Sequence, residues 1–183
     1  MSISEATARD ANAADIIVTP RLTLRRFRPD DAAEFHAILS DRETMRYWST
    51  PPHRDISETR DWVDRTIAAV AVGDADDFIA LHEGCIVGKA GLWHGNELGM
   101  LFIKACWGHG LASEAVRAII DRAFRRGLSS IKADVDPRNE KSLRLLRKFD
   151  FVETGRAERT LRIGEVWVDS IYFELRGPAQ VAL

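Results

Sequence analysis

Apolar and polar residues change rhythm several times along this chain, and each change marks a predicted element. Leu22 and Leu24 alternate with Thr23 and Arg25 before Phe27, the two-residue period of a half-buried strand. Phe35, Ile38 and Leu39 then share one face of a helix opened by Pro29-Asp30-Asp31, with Asp30 as its expected N-cap. An aromatic loop follows, carrying Tyr47, Trp48, Pro51, Pro52 and His53. Ser57 reads as the cap of a second helix that turns Trp62, Val63, Ile67 and Val70 inward and stops at Gly73.

Short β-rich runs, Phe78 to Leu81 and Cys85 to Leu92, flank the turn His82-Glu83-Gly84, and His94-Gly95-Asn96 leads to a further strand from Leu98 to Ile103. A third helix begins near Gly110 and buries Ala112, Ala115, Val116, Ile119, Ile120, Ala123 and Phe124. Arg125 and Arg126 occupy its last turn, and Gly127 ends it. Ile131 to Val135 follows at once, giving a β-α-β unit with a parallel crossover. Pro137-Arg138-Asn139 opens a fourth helix with Leu143, Leu145, Leu146 and Phe149. Phe151 to Glu158 and Glu165 to Leu175 are the closing strands, Trp167, Ile171 and Phe173 falling on alternate positions. The pattern is α/β: one mixed sheet with an antiparallel N-terminal half, a central β-α-β unit and about four helices. The expected division is a flexible leader over 1–18, a domain over 19–176 and a tail over 177–183.

Composition narrows the class. The chain has 183 residues, 45% hydrophobic and 30% charged, enough for one globular core. No apolar run approaches the roughly 20 residues that span a bilayer, and the leader has no apolar segment of a secretory signal. A net charge of −2 offers no general attraction to nucleic acid or anionic lipid. Cys85 and Cys106 have no metal-ligand spacing and suggest no disulfide framework, so the expectation is a cytoplasmic protein without a metal. Cys106 is expected to be a buried, inert thiol.

The chemistry concentrates between Glu97 and Val116. A strand enters a turn with Gly108 and Gly110, and that turn opens the third helix. Amides at a helix start lack intrahelical acceptors and sit at the positive end of the dipole, and glycines let a ligand approach them. The expectation is a phosphate cradle made of main chain, with His109 a solvated loop residue.

Four segments carry a family resemblance over roughly Thr19 to Leu175. These are Thr19-Pro-Arg-Leu-Thr-Leu-Arg-Arg-Phe27; Leu39-Ser-Asp-Arg-Glu-Thr-Met-Arg-Tyr47; Glu97-Leu-Gly-Met-Leu-Phe102 with Trp107-Gly-His-Gly-Leu-Ala-Ser-Glu-Ala115; and Asp136-Pro-Arg-Asn-Glu-Lys-Ser142 with Phe149-Asp-Phe-Val-Glu-Thr-Gly155. In that order they resemble the GNAT superfamily of N-acetyltransferases, in its RimJ/RimL-like branch. The chain departs from the pattern at Ala105, where Gln or Arg is common, at Leu146, where many members place a tyrosine acid, and at Asp150, usually glycine.

The resemblance implies acetyl-CoA as co-substrate and a primary amine as acceptor, either a protein N-terminus or a small molecule. It implies cofactor contacts from Met100, Leu101, Phe102, Gly108, His109, Gly110, Leu111, Ala112, Ser113 and Asn139, with strand backbone pairing the pantetheine arm. Glu97 is the expected base, acting through water, because an amine must lose its proton before it attacks. With Leu146 unable to donate, Ser142 is the candidate acid or thiolate stabiliser. Tyr47, Trp48 and Trp93, with His53, border the expected acceptor site, and Arg138, Lys141 and Arg144 either meet the adenosine phosphate or form a solvated helix face. The closing strands could support a homodimer. Two other readings are a non-catalytic acyl-CoA-binding regulator and, on the loose echo Gly108-x-Gly110-x-x-Ser113 with Asp134 beyond it, an NAD(P)-dependent oxidoreductase.

Overall fold

The computed structural model describes residues 16–178, so the leader as far as residue 15 and the last five residues of the tail lie outside the described residues. The elements are β1 (Ile16–Val18), β2 (Thr23–Arg25), α1 (Asp31–Leu39), α2 (Ile56–Ala71), β3 (Ala75–His82), β4 (Cys85–Trp93), β5 (Glu97–Phe102), a 3-10 turn (Lys104–Cys106), α3 (Leu111–Arg125), β6 (Ser130–Val135), α4 (Glu140–Lys148), β7 (Val152–Ile163) and β8 (Val166–Arg176). One eight-stranded sheet runs in the order β1-β2-β3-β4-β5-β6-β8-β7. Its strand β1 takes in the last three residues of the expected leader, pairing Ile17 with Leu24.

Alternation along each strand assigns the two faces. Phe78, Ala80, Val87, Ala90 and Leu92 pack toward α3, whose Ala115, Val116, Ile119, Ile120 and Ala123 are all buried. Ile79, Ile86 and Leu101 face the other way, under Phe35, Ile38, Leu39 and Val63 of α1 and α2. Beyond β5, no helix among the described elements covers this second face. That asymmetry leaves room for a site.

Two expected caps are corrected. Asp30 makes no side-chain cap; Asp31, next along, accepts both guanidinium nitrogens of Arg25 at 2.7 Å and the Arg28 amide, so its carboxylate is spent tying β2 to α1. Asp55 rather than Ser57 caps α2, accepting from the amides of Ser57 and Glu58. A carboxylate placed before the first turn reaches those amides and complements the dipole, which a hydroxyl inside the turn cannot do. Trp167, expected inward with Ile171 and Phe173, is 45% exposed, because the β7–β8 pairing slips between Ala157 and Leu161 and resets the faces. Asp150, at the glycine position, has φ of 61° and ends α4, with the Phe151 amide returning to the Leu146 carbonyl.

β5 pairs with β4 along its whole length, from Glu97 opposite Trp93 to Phe102 opposite Gly88. With β6, its parallel neighbour, it pairs only at Glu97 and Lys132. The two strands part immediately beyond that point.

Candidate active site

The phase of β5 follows from one bond: the Ile103 amide donates to the Val87 carbonyl. In an antiparallel ladder alternate residues pair, so Glu97, Gly99 and Leu101 spend their backbone on β4. The backbone of Leu98, Met100 and Phe102 turns to the β6 side, as the Asn96 carbonyl does in accepting from the Lys132 amide. This corrects the expectation for Leu101, whose main chain is committed to β4. It also narrows Phe102, whose carbonyl takes the Trp107 indole N–H at 2.8 Å. Met100 keeps both a donor and an acceptor aimed into the parting strands.

The cradle lies past the open end of that gap. Gly108 and Gly110 both have positive φ, 78° and 80°, in a turn that reverses the chain into α3. The ladder of α3 begins where the Glu114 amide donates to the Gly110 carbonyl, so the amides of Leu111, Ala112 and Ser113 stand ahead of it. Gly110 is the N-cap and offers no side chain to satisfy them. His109 is exposed, and only its carbonyl is engaged, by Arg21.

The electrostatics of the cradle contain a residue that periodicity does not single out. Glu114 in the first turn favours the helix dipole but would repel a diphosphate. Arg21 answers it, its Nε 2.7 Å from Glu114 Oε2, its amide on Oε1 and its Nη1 on the His109 carbonyl. Burial works against charge on Glu114, yet the Thr19 hydroxyl and the Arg21 amide and guanidinium hold its carboxyl below the usual range. Arg21 is thereby fixed beside Gly110, where a Cβ would come 3.3 Å from its Nη2. Glu114 is the signal in the sequence: an acid in a phosphate-binding turn needs a cation beside it. Lys148 reaches Ser113 Oγ at 3.5 Å, and Lys141 lies 3.7 Å from the Trp107 ring centre. Of the expected basic trio, only Lys141 comes to the loop; Arg138 pairs with Asp136 and Arg144 with Glu140.

Asn139 caps α4, its Oδ1 accepting from the Ser142 amide at 3.1 Å. That bond leaves its amide nitrogen for a ligand and sets the half-buried Ser142 in the first turn. Leu146 is 1% exposed and belongs to the core. Cys106 is buried, and burial pushes its thiol up, away from reactivity.

The second face of the sheet forms a cleft of about 540 Å3 over β6, β8 and β7, beside the last paired position of β5 and β6, lined by Glu97, Lys132, Asp134, Thr154, Tyr172 and Glu174. Glu97, exposed, lines its β5 edge at the closed end of the strand gap; Ser142 lies past the open end of β6. Trp48 and Trp93 stand over β5 nearby, gathered around Lys89 at 5.2 and 5.9 Å. The Lys89 Nζ and the Trp48 ring lie 3.6 and 3.7 Å from where a Cβ of Gly99 would be, so Gly99 lies directly beneath this cluster. This lysine was not legible as part of the site. It is fully buried and paired with a fully buried Asp77 at 2.7 Å. His53 is core, bonded to Thr59; Tyr47 is half-buried beside Arg46. Among the described residues no group of His, Cys, Asp and Glu could hold a metal, and no helix is long and apolar enough to cross a membrane.

Comparison with known proteins agrees with this geometry. The family described as "Acetyltransferase (GNAT) domain" matches residues 21–152. The uncharacterized N-acetyltransferase p20 of Bacillus licheniformis is 32% identical over 150 residues, covering 77% of this chain and 84% of that protein. The uncharacterized protein YkkB of Bacillus subtilis (strain 168) is 30% identical over 151 residues, covering 75% and 85%. Among solved structures, a GNAT-family acetyltransferase from Bacillus anthracis superposes with a TM-score of 0.76 at 25% identity, covering 88% of this chain and 98% of its own. The ribosomal L7/L12 alpha-N-protein acetyltransferase RimL, in complex with coenzyme A, does so with a TM-score of 0.80 at 17% identity, covering 88% and 98%.

Proposed function

Since the chain belongs to the GNAT family of acetyltransferases, we propose that it moves the acetyl group of acetyl-CoA to a primary amine by direct attack in a ternary complex. The parting of β5 and β6 beside a bare helix start is the observation that carries this reading. The amides of Leu111, Ala112 and Ser113 bind the cofactor's diphosphate, with Arg21 and Lys148 alongside. The pantetheine arm lies along β5 as an added strand, one of its amides donating to the Met100 carbonyl. The Met100 amide donates to the thioester oxygen as negative charge gathers there. Holding donor and acceptor in one cleft supplies much of the rate.

Glu97, at the closed end of the strand gap, draws the amine's proton through a water, and Ser142 assists departure of the sulfur. Leu146 is sealed in the core, so α4 offers no acid at that position. Trp48 and Trp93 give the acceptor a wall of aromatic surface suited to a cationic nitrogen. The acceptor class favoured is a protein N-terminal amine, on the RimJ/RimL-like resemblance. The two free cysteines, Cys85 and Cys106, suit the cytoplasm.

The test is thiol release from acetyl-CoA with peptides starting in Ala, Ser or Met, with spermidine and with free amino acids. Turnover with at least one, and an acetylated product by mass spectrometry, is expected. Glu97→Gln lowers kcat and leaves coenzyme A affinity unchanged. Cofactor binding with no product from any acceptor would favour the non-catalytic reading, and binding of NADH in place of coenzyme A would overturn the proposal.

A further inference from the structure

Asp134 has a place in the cleft that acetyl transfer, as set out above, does not use. The β5–β6 pairing at Glu97 and Lys132 puts Asp134 level with Gly99, at the point where the strands separate. That level is one residue short of Met100, whose amide faces the same gap. Its side chain shares the cleft face with Lys132, while Ile131 and Ala133 point into the core. One oxygen is held: Ser170 Oγ donates to Asp134 Oδ2 at 2.9 Å. Ser170 is only 4% exposed and is itself 2.6 Å from Thr160 Oγ1, which also reaches the Val168 carbonyl. A serine whose proton goes to Asp134 can take only an acceptor's part toward Thr160. The hydroxyl pair therefore aims Oδ2 and leaves Oδ1 to the cleft.

We propose that Asp134 is a second catalytic carboxylate, which contacts the incoming ammonium directly, and that Ser170 is its positioning residue. The inference rests on the acetyl-transfer reading and names the group that receives the proton first. The ammonium gives one proton to Asp134, which passes it to the water of Glu97 and so to solvent. The neutral amine attacks the thioester carbon, the C–N bond forms and the C–S bond breaks. The nitrogen's second surplus proton goes to the departing thiolate, leaving an amide and free coenzyme A.

The chemistry of the site fits this role. Burial raises the Asp134 carboxyl above the usual aspartate range, and the Ser170 bond offsets only part of that rise. A carboxylate of raised pKa is a better proton acceptor than a solvated one. The charged and titratable groups around it are Glu97 from β5, Lys132 from β6, and Tyr172 and Glu174 from β8. Just past the end of β6, Asp136 is occupied by Arg138.

The experiment is the pH profile of kcat/KM for the wild type, Asp134→Asn and Ser170→Ala with the acceptor panel above. Asp134→Asn is expected to lose about 100-fold in kcat with coenzyme A affinity intact, and to lose the acid limb. Ser170→Ala removes a donor that favours the charged carboxylate, so the acid limb moves to higher pH. A merely structural serine would not move it. An Asp134→Asn enzyme of wild-type rate, or an unmoved limb in Ser170→Ala, overturns the proposal. If the wild type releases no thiol with any acceptor, it is the acetyl-transfer reading that falls. The Asp134 carboxyl titration, followed by carbon-13 NMR, then decides independently: a raised value that climbs further in Ser170→Ala supports the assignment, and an ordinary aspartate value overturns it.

Discussion

Asp77→Asn is expected to destabilise the fold by about 3–5 kcal/mol, the usual consequence of removing one partner from a buried ion pair. Both Asp77 and Lys89 are completely inaccessible, and Asp77 Oδ2 also accepts the Trp93 indole N–H at 2.9 Å. The ammonium is otherwise surrounded by the rings of Trp48, Trp62 and Trp93, 5.2 to 5.9 Å away. Ring faces attract a cation but do not neutralise it. For a domain of this size the loss corresponds to a fall in Tm on the order of 10 °C. The double variant Asp77→Leu with Lys89→Met removes both charges and should recover most of that fall. Thermal unfolding of the two variants checks both statements. Equal destabilisation in the single and double variants would mean that packing volume, rather than unpaired charge, is what the pair contributes.

Gly110→Glu is expected to abolish cofactor binding, weakening coenzyme A by at least about 100-fold (roughly 2.7 kcal/mol). Three effects act together. The residue has φ of 80°, which L side chains rarely adopt. Its Cβ would meet Arg21 Nη2 at 3.3 Å. The added carboxylate would then compete for the same amides and guanidinium that the diphosphate needs. Gly110→Ala separates these: it retains the backbone strain and the crowding of Arg21 without the charge, and should lose less affinity. Calorimetric titration with coenzyme A reads both variants. Undiminished affinity in Gly110→Glu would place the diphosphate elsewhere.

The elements were legible because burial leaves a periodic trace. The two-residue rhythm of Leu22 and Leu24, and the helical one of Val116, Ile119, Ile120 and Ala123, each report one face against a core. The glycine turn was legible for a related reason, since Gly108 and Gly110 do adopt the left-handed backbone. Caps were harder. Asp55 and Ser57 are both good capping residue types, and which one is used depends on where the first turn closes. Pairing was harder still. That Leu101 faces β4 and Met100 faces the gap depends on a register between strands, of which one strand's sequence holds no record. The same limit hid Arg21, Lys89 and Ser170. Each acts through a partner distant in the chain: Glu114, Asp77 and Asp134 respectively. Asp134 stood out in the sequence only as the acid beyond the loose glycine echo of a dinucleotide fingerprint. The sheet geometry places it instead on the open face of a cleft, level with Gly99.

The central claim is that main-chain amides at two places, the start of α3 and Met100 on β5, hold the cofactor. Titration of the nitrogen-15-labelled protein with coenzyme A, followed residue by residue in the amide spectrum, tests it directly. The predicted result is that Leu111, Ala112, Ser113 and Met100 show the largest shifts and saturate together, while Leu101, bonded to β4, moves little. Saturation with those four amides unmoved, or shifts gathered on another part of the sheet, would contradict it.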